Sequence, residues 1–298
     1  WTTFLEHHVD GYIHSDYNQT VRTGRMSCRR PNAQQQSLDS KKEIYPDEGE
    51  TFVSMDYSQI EFRLVAHYTR CQWIIDEYCT NPNADFHKTM ANKVGCPRSP
   101  AKTINLGTAY GMGEKKMINS LKRLEGFIHE AMTSQQAEAL AKAVYNDYHR
   151  NFPELRQTTR MASSLARSRG WVRNEHGRRG YLEPNHARKA FNSLCQGDAA
   201  DLVKERAPRV SERFDRWLRE RNVRLRAIVH DEYLWSMPSE VVDEVVPYLK
   251  ERVEQSRVKY LVPLRADVKV SAKSWGECEP WAGTQKEPAG SNSSRLVG

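Results

Sequence analysis

The sequence has no long apolar run and no paired cysteines, and both absences narrow the class of protein. None of its 298 residues lies in a stretch approaching the roughly 18 apolar residues that a membrane-spanning helix requires. The six cysteines form no Cys-x-x-Cys pair and show no zinc-ligand spacing, which favours reduced intracellular thiols over a disulfide framework or a zinc site. No signal peptide and no internal repeat are apparent.

Positive charge is what the chain has in excess. Its formal net charge is +7, which suits a polyanionic partner, although a basic surface is often simply solvated. The length allows one or two domains with a good core. From residue 280 onward the composition turns to Gly, Ser and Pro, so we expect residues 280–298 to form a disordered tail.

A short run of β-forming residues ends at a carboxylate. Residues 51–56 are typical of a strand, and the spacing of Ile60 and Leu64 is helical, so the pattern predicts a change from strand to helix near Tyr57. Asp56 then lies at a strand end, where a carboxylate can serve as an oxygen ligand for Mg²⁺. A lone Asp at such a place is more often a turn residue.

A second carboxylate favours the metal interpretation. Two apolar runs, 225–229 and 233–235, flank His230, Asp231 and Glu232 and predict a β-hairpin with Asp231 at its tip. Two strand-borne aspartates far apart in sequence can converge on a metal pair, which enzymes hold about 3.5–4 Å apart to displace one phosphate oxygen by another.

A helix with cations near its start is predicted next. Arg98, Lys102, Leu106 and Tyr110 recur every four residues, which keeps them on one slowly drifting face. The two cations suit a triphosphate, and the apolar and aromatic residues further along suit a sugar and a base. An amphipathic helix with snorkelling cations explains the same spacing, so both interpretations stay open.

Three segments resemble, in order, the A, B and C motifs of family A DNA polymerases, which include bacterial DNA polymerase I and several phage enzymes. They are DYSQIE at 56–61, RSPAKTINLGTAYG at 98–111 and VHDE at 229–232. The similarity extends from about Gly11 to Glu277. It implies an α+β fold, in which a palm with an antiparallel β-sheet (1–75 and 189–279) carries a mostly helical fingers insertion (76–188).

The resemblance implies a DNA-directed DNA polymerase that transfers nucleotides from dNTPs to a primer 3′-hydroxyl. Asp56 and Asp231 would bridge two Mg²⁺ ions, for which Mn²⁺ can substitute. Lys102 would act on the pyrophosphate leaving group, and Glu232 would lie behind the metal ligands. Residues expected at the dNTP are Arg98, Lys102, Leu106, Tyr110, Glu61, His87 and Gln59. Residues expected at the DNA are Arg25, Asn32, Gln34, Asn192, Gln196 and His230.

Glu61 has two interpretations, and the motifs show two departures. Ser58 and Glu61 have the spacing of a capping box, whereas the resemblance makes Glu61 a steric gate beside Tyr110 that refuses a ribose 2′-hydroxyl. We keep both. Ser99-Pro100 replaces a more usual Arg and small residue, which leaves the helix start open, and Leu106 stands where Phe or Tyr is usual.

Two other functions stay open. A non-catalytic fragment would bind primer–template without turnover, and a single-subunit RNA polymerase would share the palm but lack the Ser-Gln-Ile-Glu gate. We expect a monomer that binds primer–template DNA and dNTPs and no membrane, within a bacterium or phage-infected cell, an organelle origin being left open. Because there is no initiating Met, we expect a piece of a longer chain with a thumb, and any exonuclease domain, upstream.

Overall fold

The strands of the main β-sheet come from residues 50–57 and 224–280, and most of the helices lie between these two stretches in the sequence. The computed structural model describes residues 6–109, 112–123 and 133–283. The strands are β1 (His8–Val9), β2 (Tyr12–Ile13), β3 (Asp16–Asn18), β4 (Ser27–Arg29), β5 (Glu50–Tyr57), β6 (Trp171–Arg173), β7 (Arg179–Tyr181), β8 (Arg224–Val229), β9 (Glu232–Pro238), β10 (Ala266–Ser271) and β11 (Glu279–Pro280). The α+β class predicted from the sequence is confirmed.

The helices vary from five to eighteen residues. They are α1 (Leu38–Lys42), α2 (Ile60–Thr69), α3 (Gln72–Thr80), α4 (Phe86–Val94), α5 (Arg98–Ala109), α6 (Glu114–Leu121), α7 (Ser134–Asn151), α8 (Pro153–Arg169), α9 (Ala190–Arg206), α10 (Arg216–Glu220) and α11 (Val242–Glu254). Short 3₁₀ segments are Ala33–Gln35, Pro184–Lys189, Ala207–Val210, Ser239–Val241 and Trp275–Glu277. In the described part of the chain, no helix combines the length and the apolar character that crossing a bilayer demands.

The main sheet is antiparallel, in the order β11-β10-β5-β9-β8. Central strand β5 alternates its side chains between two faces. Val53 and Met55 are fully buried in the main core, whereas Phe52 belongs to a small cluster with Trp275. Asp56 follows Phe52 at a spacing of four residues and lies on the same face near the end of the strand, where the residue is partly exposed to solvent.

A buried arginine ties the sheet to the helical insertion. Arg63 on α2 is 1% exposed, and its guanidinium donates to three carbonyls from separate parts of the chain, those of Ser58, Pro82 and Pro263. A buried charge is tolerated when its hydrogen bonds are satisfied. The strands of the main sheet all lie outside residues 76–188, and the exact domain limits stay a prediction.

Capping residues fix the start of one helix and not of another. At the start of α7, Thr133 and Gln136 form a capping box. The capping box at Ser58 and Glu61 is wrong, because Gln59 precedes α2 with φ +50° and the helix begins without a side-chain cap. Helix α9 begins at Ala190, directly after the 3₁₀ segment Pro184–Lys189.

The end of the described chain joins the sheet. Pro280 belongs to β11, and the Trp281 amide donates to the Val268 carbonyl at 3.0 Å. The limit that we set at residue 280 for a disordered tail is therefore too early, and residues 284–298 lie outside the described residues. All six cysteines fall within the described residues and are free thiols.

Candidate functional site

The sheet brings Asp56 and Asp231 to adjacent strand ends. His230 and Asp231 form the two-residue connection of the β8–β9 hairpin, where His230 has φ +58°. The hairpin predicted around Asp231 is confirmed. The Tyr57 amide donates to the Asp231 carbonyl at 3.3 Å, so the residue after Asp56 is bonded directly to the hairpin tip.

Two further carboxylates flank Asp56 across the sheet. Asp56 is in register with Glu232 on β9 and with Asp267 on β10. Directly opposite residues of an antiparallel pair point to the same face, so the three carboxylates form a row. Asp267 was not among the predicted site residues.

Desolvation and neighbouring carboxylates raise the pKa of Asp56, the central member of this row. The surrounding protein partly desolvates the Asp56 carboxylate, which disfavours its charged form. The negative charges of Asp231, Glu232 and Asp267 disfavour that form further. Together these effects raise the pKa of Asp56 to about 7, against a smaller opposing effect of Lys269. Desolvation also raises the pKa of Asp231, which Arg25 opposes. Carboxylates with raised pKa values and no adequate counter-charge make a good site for a hard cation.

The donor set fits a cation that keeps most of its water. In the part of the chain that the structure describes, no group of three or more His, Cys, Asp or Glu side chains is arranged to hold a metal. Mg²⁺ is bound through one or two protein carboxylates, with water and substrate phosphates completing its octahedron. Asp56 and Asp231 supply that number.

Glu232 is occupied by protein groups. Its Oε1 accepts hydrogen bonds from Ser54 Oγ at 2.7 Å and from Trp275 Nε1 at 3.0 Å. Lys41 Nζ lies 3.6 Å from Oε2 and 4.0 Å from the centre of the Trp275 ring. Sequence reasoning missed Ser54, Trp275 and Lys41, because they come from three distant segments with no shared spacing.

Arg25 and Glu61 meet beside the aspartates. Arg25 Nη2 lies 2.7 Å from Glu61 Oε1, and both side chains are partly buried. Arg25 also lines a small cavity with His230 and Asp231, against Ala199 and Val203 of α9. A residue predicted at the DNA and one predicted at the dNTP are therefore joined next to Asp231.

Helix α5 begins at Arg98, which resolves the helix start that Ser99-Pro100 left open. Arg98 Nε lies 2.7 Å from Asp85 Oδ2. Lys102 is exposed one turn later, whereas Leu106 is half-buried and packs on the main core. Tyr110 lies outside the described residues.

His87 and Gln59 are engaged within the protein. His87 is 7% exposed, and its Nδ1 lies 3.0 Å from Asn105 Nδ2 on α5. Burial lowers the pKa of His87 to about 4, so its ring is neutral at pH 7. Gln59 donates to the Ala84 carbonyl and accepts from the Phe86 amide. Contact of either side chain with a nucleotide stays a prediction.

The residues predicted at the DNA lie on three segments. Asn32 caps a 3₁₀ turn by accepting from the Gln34 amide, and the Gln34 side chain donates to the Ile228 carbonyl at 3.2 Å, just before the hairpin tip. Asn192 and Gln196 are half-buried one turn apart on α9. Asn192 Oδ1 is buried and accepts no hydrogen bond from the described residues.

Known proteins resemble this chain over nearly its whole length. DNA polymerase DpoZ of Salmonella phage PMBT28 is 34% identical over 92% of the chain and 50% of that protein. The thermostable DNA polymerase I of Thermus thermophilus is 30% identical over 89% of the chain and 32% of that protein. The chain therefore spans half or less of the length of these two curated relatives.

Structural comparison gives the same family. The POL domain of Pol1 from M. smegmatis, solved with DNA primer-template and dNTP, superposes with a TM-score of 0.79 at 26% identity. The match covers 92% of this chain and 50% of that one. The family model described as DNA polymerase family A matches residues 2–277. This chain therefore belongs to DNA polymerase family A.

Proposed function

We propose that this chain is the palm and fingers portion of a DNA-directed DNA polymerase, which extends a primer 3′-hydroxyl with dNTPs. The observation that carries the proposal is the placement of Asp56 and Asp231 at neighbouring strand ends with raised pKa values. Relatives named DNA polymerase and a similar domain solved with primer-template and dNTP support the choice of substrates. The net charge of +7 suits the same polyanions.

Asp56 and Asp231 would hold two divalent cations, with Mg²⁺ favoured by their oxygen ligands. Bound there, such cations lower the pKa of the attacking hydroxyl and stabilise charge on the triphosphate. Glu232 would act indirectly, because Ser54 and Trp275 already occupy its Oε1. Its place beside Asp56 keeps negative charge at the site.

The start of α5 would bind the triphosphate. Lys102 is exposed there, and the bond between Arg98 Nε and Asp85 leaves the terminal guanidinium nitrogens for phosphate oxygens. Because the lowered pKa of His87 leaves its ring neutral at pH 7, the ring would contact the triphosphate as a hydrogen-bond partner without adding positive charge. Leu106 would meet the sugar and base further along.

Helix α9 and the Arg25 segment would hold the primer–template. Asn192 and Gln196 lie one turn apart on one face of α9 and are half-buried, and the N–H groups of their amides can act as donors. Amide groups can reach the minor-groove acceptors that all base pairs share. Such contacts would test pair geometry without selecting a base. Arg25 would join this surface to the sugar-facing Glu61.

Primer extension by the purified chain tests the proposal. A labelled primer on a longer template should be extended with Mg²⁺ and the four dNTPs, should stop when EDTA is added, and should be extended poorly with ribonucleotides. Duplex binding without extension would instead identify a non-catalytic primer–template-binding fragment. Equal use of both sugars would identify a polymerase without a gate at Glu61.

A further inference from the structure

The β6–β7 hairpin displays two aromatic rings and two guanidinium groups on one face. Trp171 lies opposite Tyr181, and Arg173 lies opposite Arg179. Directly opposite residues point to the same side of an antiparallel pair. Tyr181 is 63% exposed, both arginines are exposed, and Trp171 is half-buried. We call these four residues the outer hairpin face.

The opposite face holds the hairpin against α9. Val172 and Gly180 are paired and buried, and a Cβ on Gly180 would lie 2.5 Å from Ser193 Oγ. At the hairpin tip, His176 bonds through its two ring nitrogens to Asp198 at 2.8 Å and to Glu205 at 3.0 Å. The outer hairpin face is therefore fixed beside the helix that carries Asn192 and Gln196.

Within the described part of the chain, the arginines of the outer hairpin face form no ion pair, although neighbouring Arg178 does. Nearby, Arg178 forms an ion pair with Asp201, and ring nitrogens of His67 and His186 lie 3.6 and 3.5 Å from carboxylate oxygens of Glu175 and Glu183. Among the described residues, no ion pair involves Arg169, Arg173 or Arg179. Two like charges directly opposite each other destabilise a strand pair. An anion bound between Arg173 and Arg179 would remove that repulsion.

Two of these cations are held in place by Trp171. The guanidinium carbons of Arg169 and Arg179 lie 4.1 and 4.6 Å from the centre of its ring. Arg169 Nε also donates to the Trp171 carbonyl at 2.9 Å. A stacked guanidinium keeps in-plane N–H groups available for phosphate. Arg22 adds a fourth cation, because its Nε and Nη2 bond to the Tyr181 carbonyl at 3.0 and 2.7 Å.

We propose that the outer hairpin face binds single-stranded DNA, which in the polymerase proposed above, on which this inference rests, is the unpaired template segment. The arginines contact phosphates, and the exposed ring of Tyr181 stacks on a base. The exposed Tyr181 ring favours single-stranded over duplex DNA, because in a duplex the faces of the paired bases are already stacked on neighbouring base pairs. A surface that met duplex backbone alone would need the cations and not the ring.

Fluorescence anisotropy with a labelled oligothymidylate of about 12 nucleotides, a length that single-strand binding sites typically cover, tests this directly. Tyr181→Ala should bind about tenfold more weakly, since stacking on one base supplies that much affinity. Tyr181→Phe keeps the ring and should bind like the parent. Tyr45→Ala is the matched control, because Tyr45 is equally exposed at 62% and lies elsewhere.

The cations have a separate signature. The double variant Arg173→Gln with Arg179→Gln should weaken binding and reduce the slope of log affinity against log salt by ~0.7 for each phosphate that the arginines no longer neutralise. Thermal unfolding of each variant establishes that it folds. Parent-like binding by Tyr181→Ala, or an equal loss of affinity for a blunt duplex, would overturn the inference. Oligonucleotide binding without primer extension by the parent would overturn the polymerase proposal alone.

Discussion

Arg25 Nη2 lies 2.7 Å from Glu61 Oε1, so the side chain expected to contact the primer–template is bonded to the one expected to face the incoming sugar. This ion pair joins the segment before β4 to the first turn of α2. It is partly buried on both sides, with 32% and 23% of the two side chains exposed. The position of Glu61 is therefore set by Arg25 and not by a cap on Ser58.

Glu61→Ala should admit ribonucleotides more readily. The substitution opens the volume where a 2′-hydroxyl would sit, and it removes the partner of Arg25. A steric and polar misfit of this kind is worth about tenfold or more in relative rate. Paired single-turnover incorporation rates for one dNTP and the matching ribonucleotide measure the change.

Glu61→Gln is the control for volume. It keeps the size of the side chain and loses the charge that Arg25 meets, so discrimination should fall less than in Glu61→Ala. If Glu61→Ala folds and discriminates between the sugars as well as the parent does, Glu61 does not face the sugar.

Asp56→Ala and Asp231→Ala should each reduce primer extension by several orders of magnitude. Each substitution removes one of the two carboxylates proposed to hold the cations. Affinity for duplex DNA should survive, because phosphate contacts by cations supply most of non-specific binding. Extension rates and duplex binding are measured on the same preparations.

Asp267→Asn is the matched control for charge. It removes a carboxylate from the same row, in register with Asp56, but from outside the proposed ligand pair. Its extension rate should stay far above that of either alanine variant. Near-parental extension by Asp56→Ala or Asp231→Ala would show that the metal ligands lie elsewhere.

Sequence patterns located the elements that carry the carboxylates. The β-forming run before Asp56 became β5, and the apolar runs around Asp231 became a hairpin, because both segments satisfy their local pattern and pair side by side within the main sheet. The start of α2 could not be predicted in the same way. Gln59 adopts φ +50° while its side chain is bonded to α4, and this tertiary contact overrides the capping signal.

Contacts between distant segments of the chain also could not be predicted from the sequence. Glu232, Trp275 and Lys41 form one cluster, but more than 40 residues separate Trp275 from Glu232 and no periodicity links them. Asp267 became visible as a neighbour of Asp56 only once the register of β10 against β5 was known.

Stability without metal should fall as the pH rises. The pKa of Asp56 is raised from 3.8 to about 7, so between these values the folded chain keeps a proton that the unfolded chain has lost. Linkage then lowers the free energy of unfolding as the pH rises through this window, and the raised pKa of Asp231 acts in the same direction. Urea unfolding in EDTA across this range measures the trend.

Asp56→Asn should remove part of this pH dependence, because its amide does not titrate. Added Mg²⁺ should restore stability above the window more than below it, since the ligands must be deprotonated to bind metal. If the urea midpoint of Asp56→Asn changes with pH as steeply as that of the parent, the pH dependence of stability arises from other groups.

Glu232→Ala should cost stability more than it costs metal affinity. The substitution leaves Trp275 Nε1 and Ser54 Oγ without their acceptor, and both residues are at most 7% exposed. An unsatisfied buried donor costs about 1–3 kcal/mol, so the free energy of unfolding should fall by about that amount. Glu232→Gln keeps one acceptor oxygen and should lose less.

Asp231→Ala removes a carboxylate whose pKa is raised, and therefore should not destabilise the metal-free chain. Urea unfolding and Mg²⁺ dependence of extension, measured on all three variants, separate the two roles. Parental stability in Glu232→Ala together with an extension defect as deep as that of Asp231→Ala would make Glu232 a direct metal ligand.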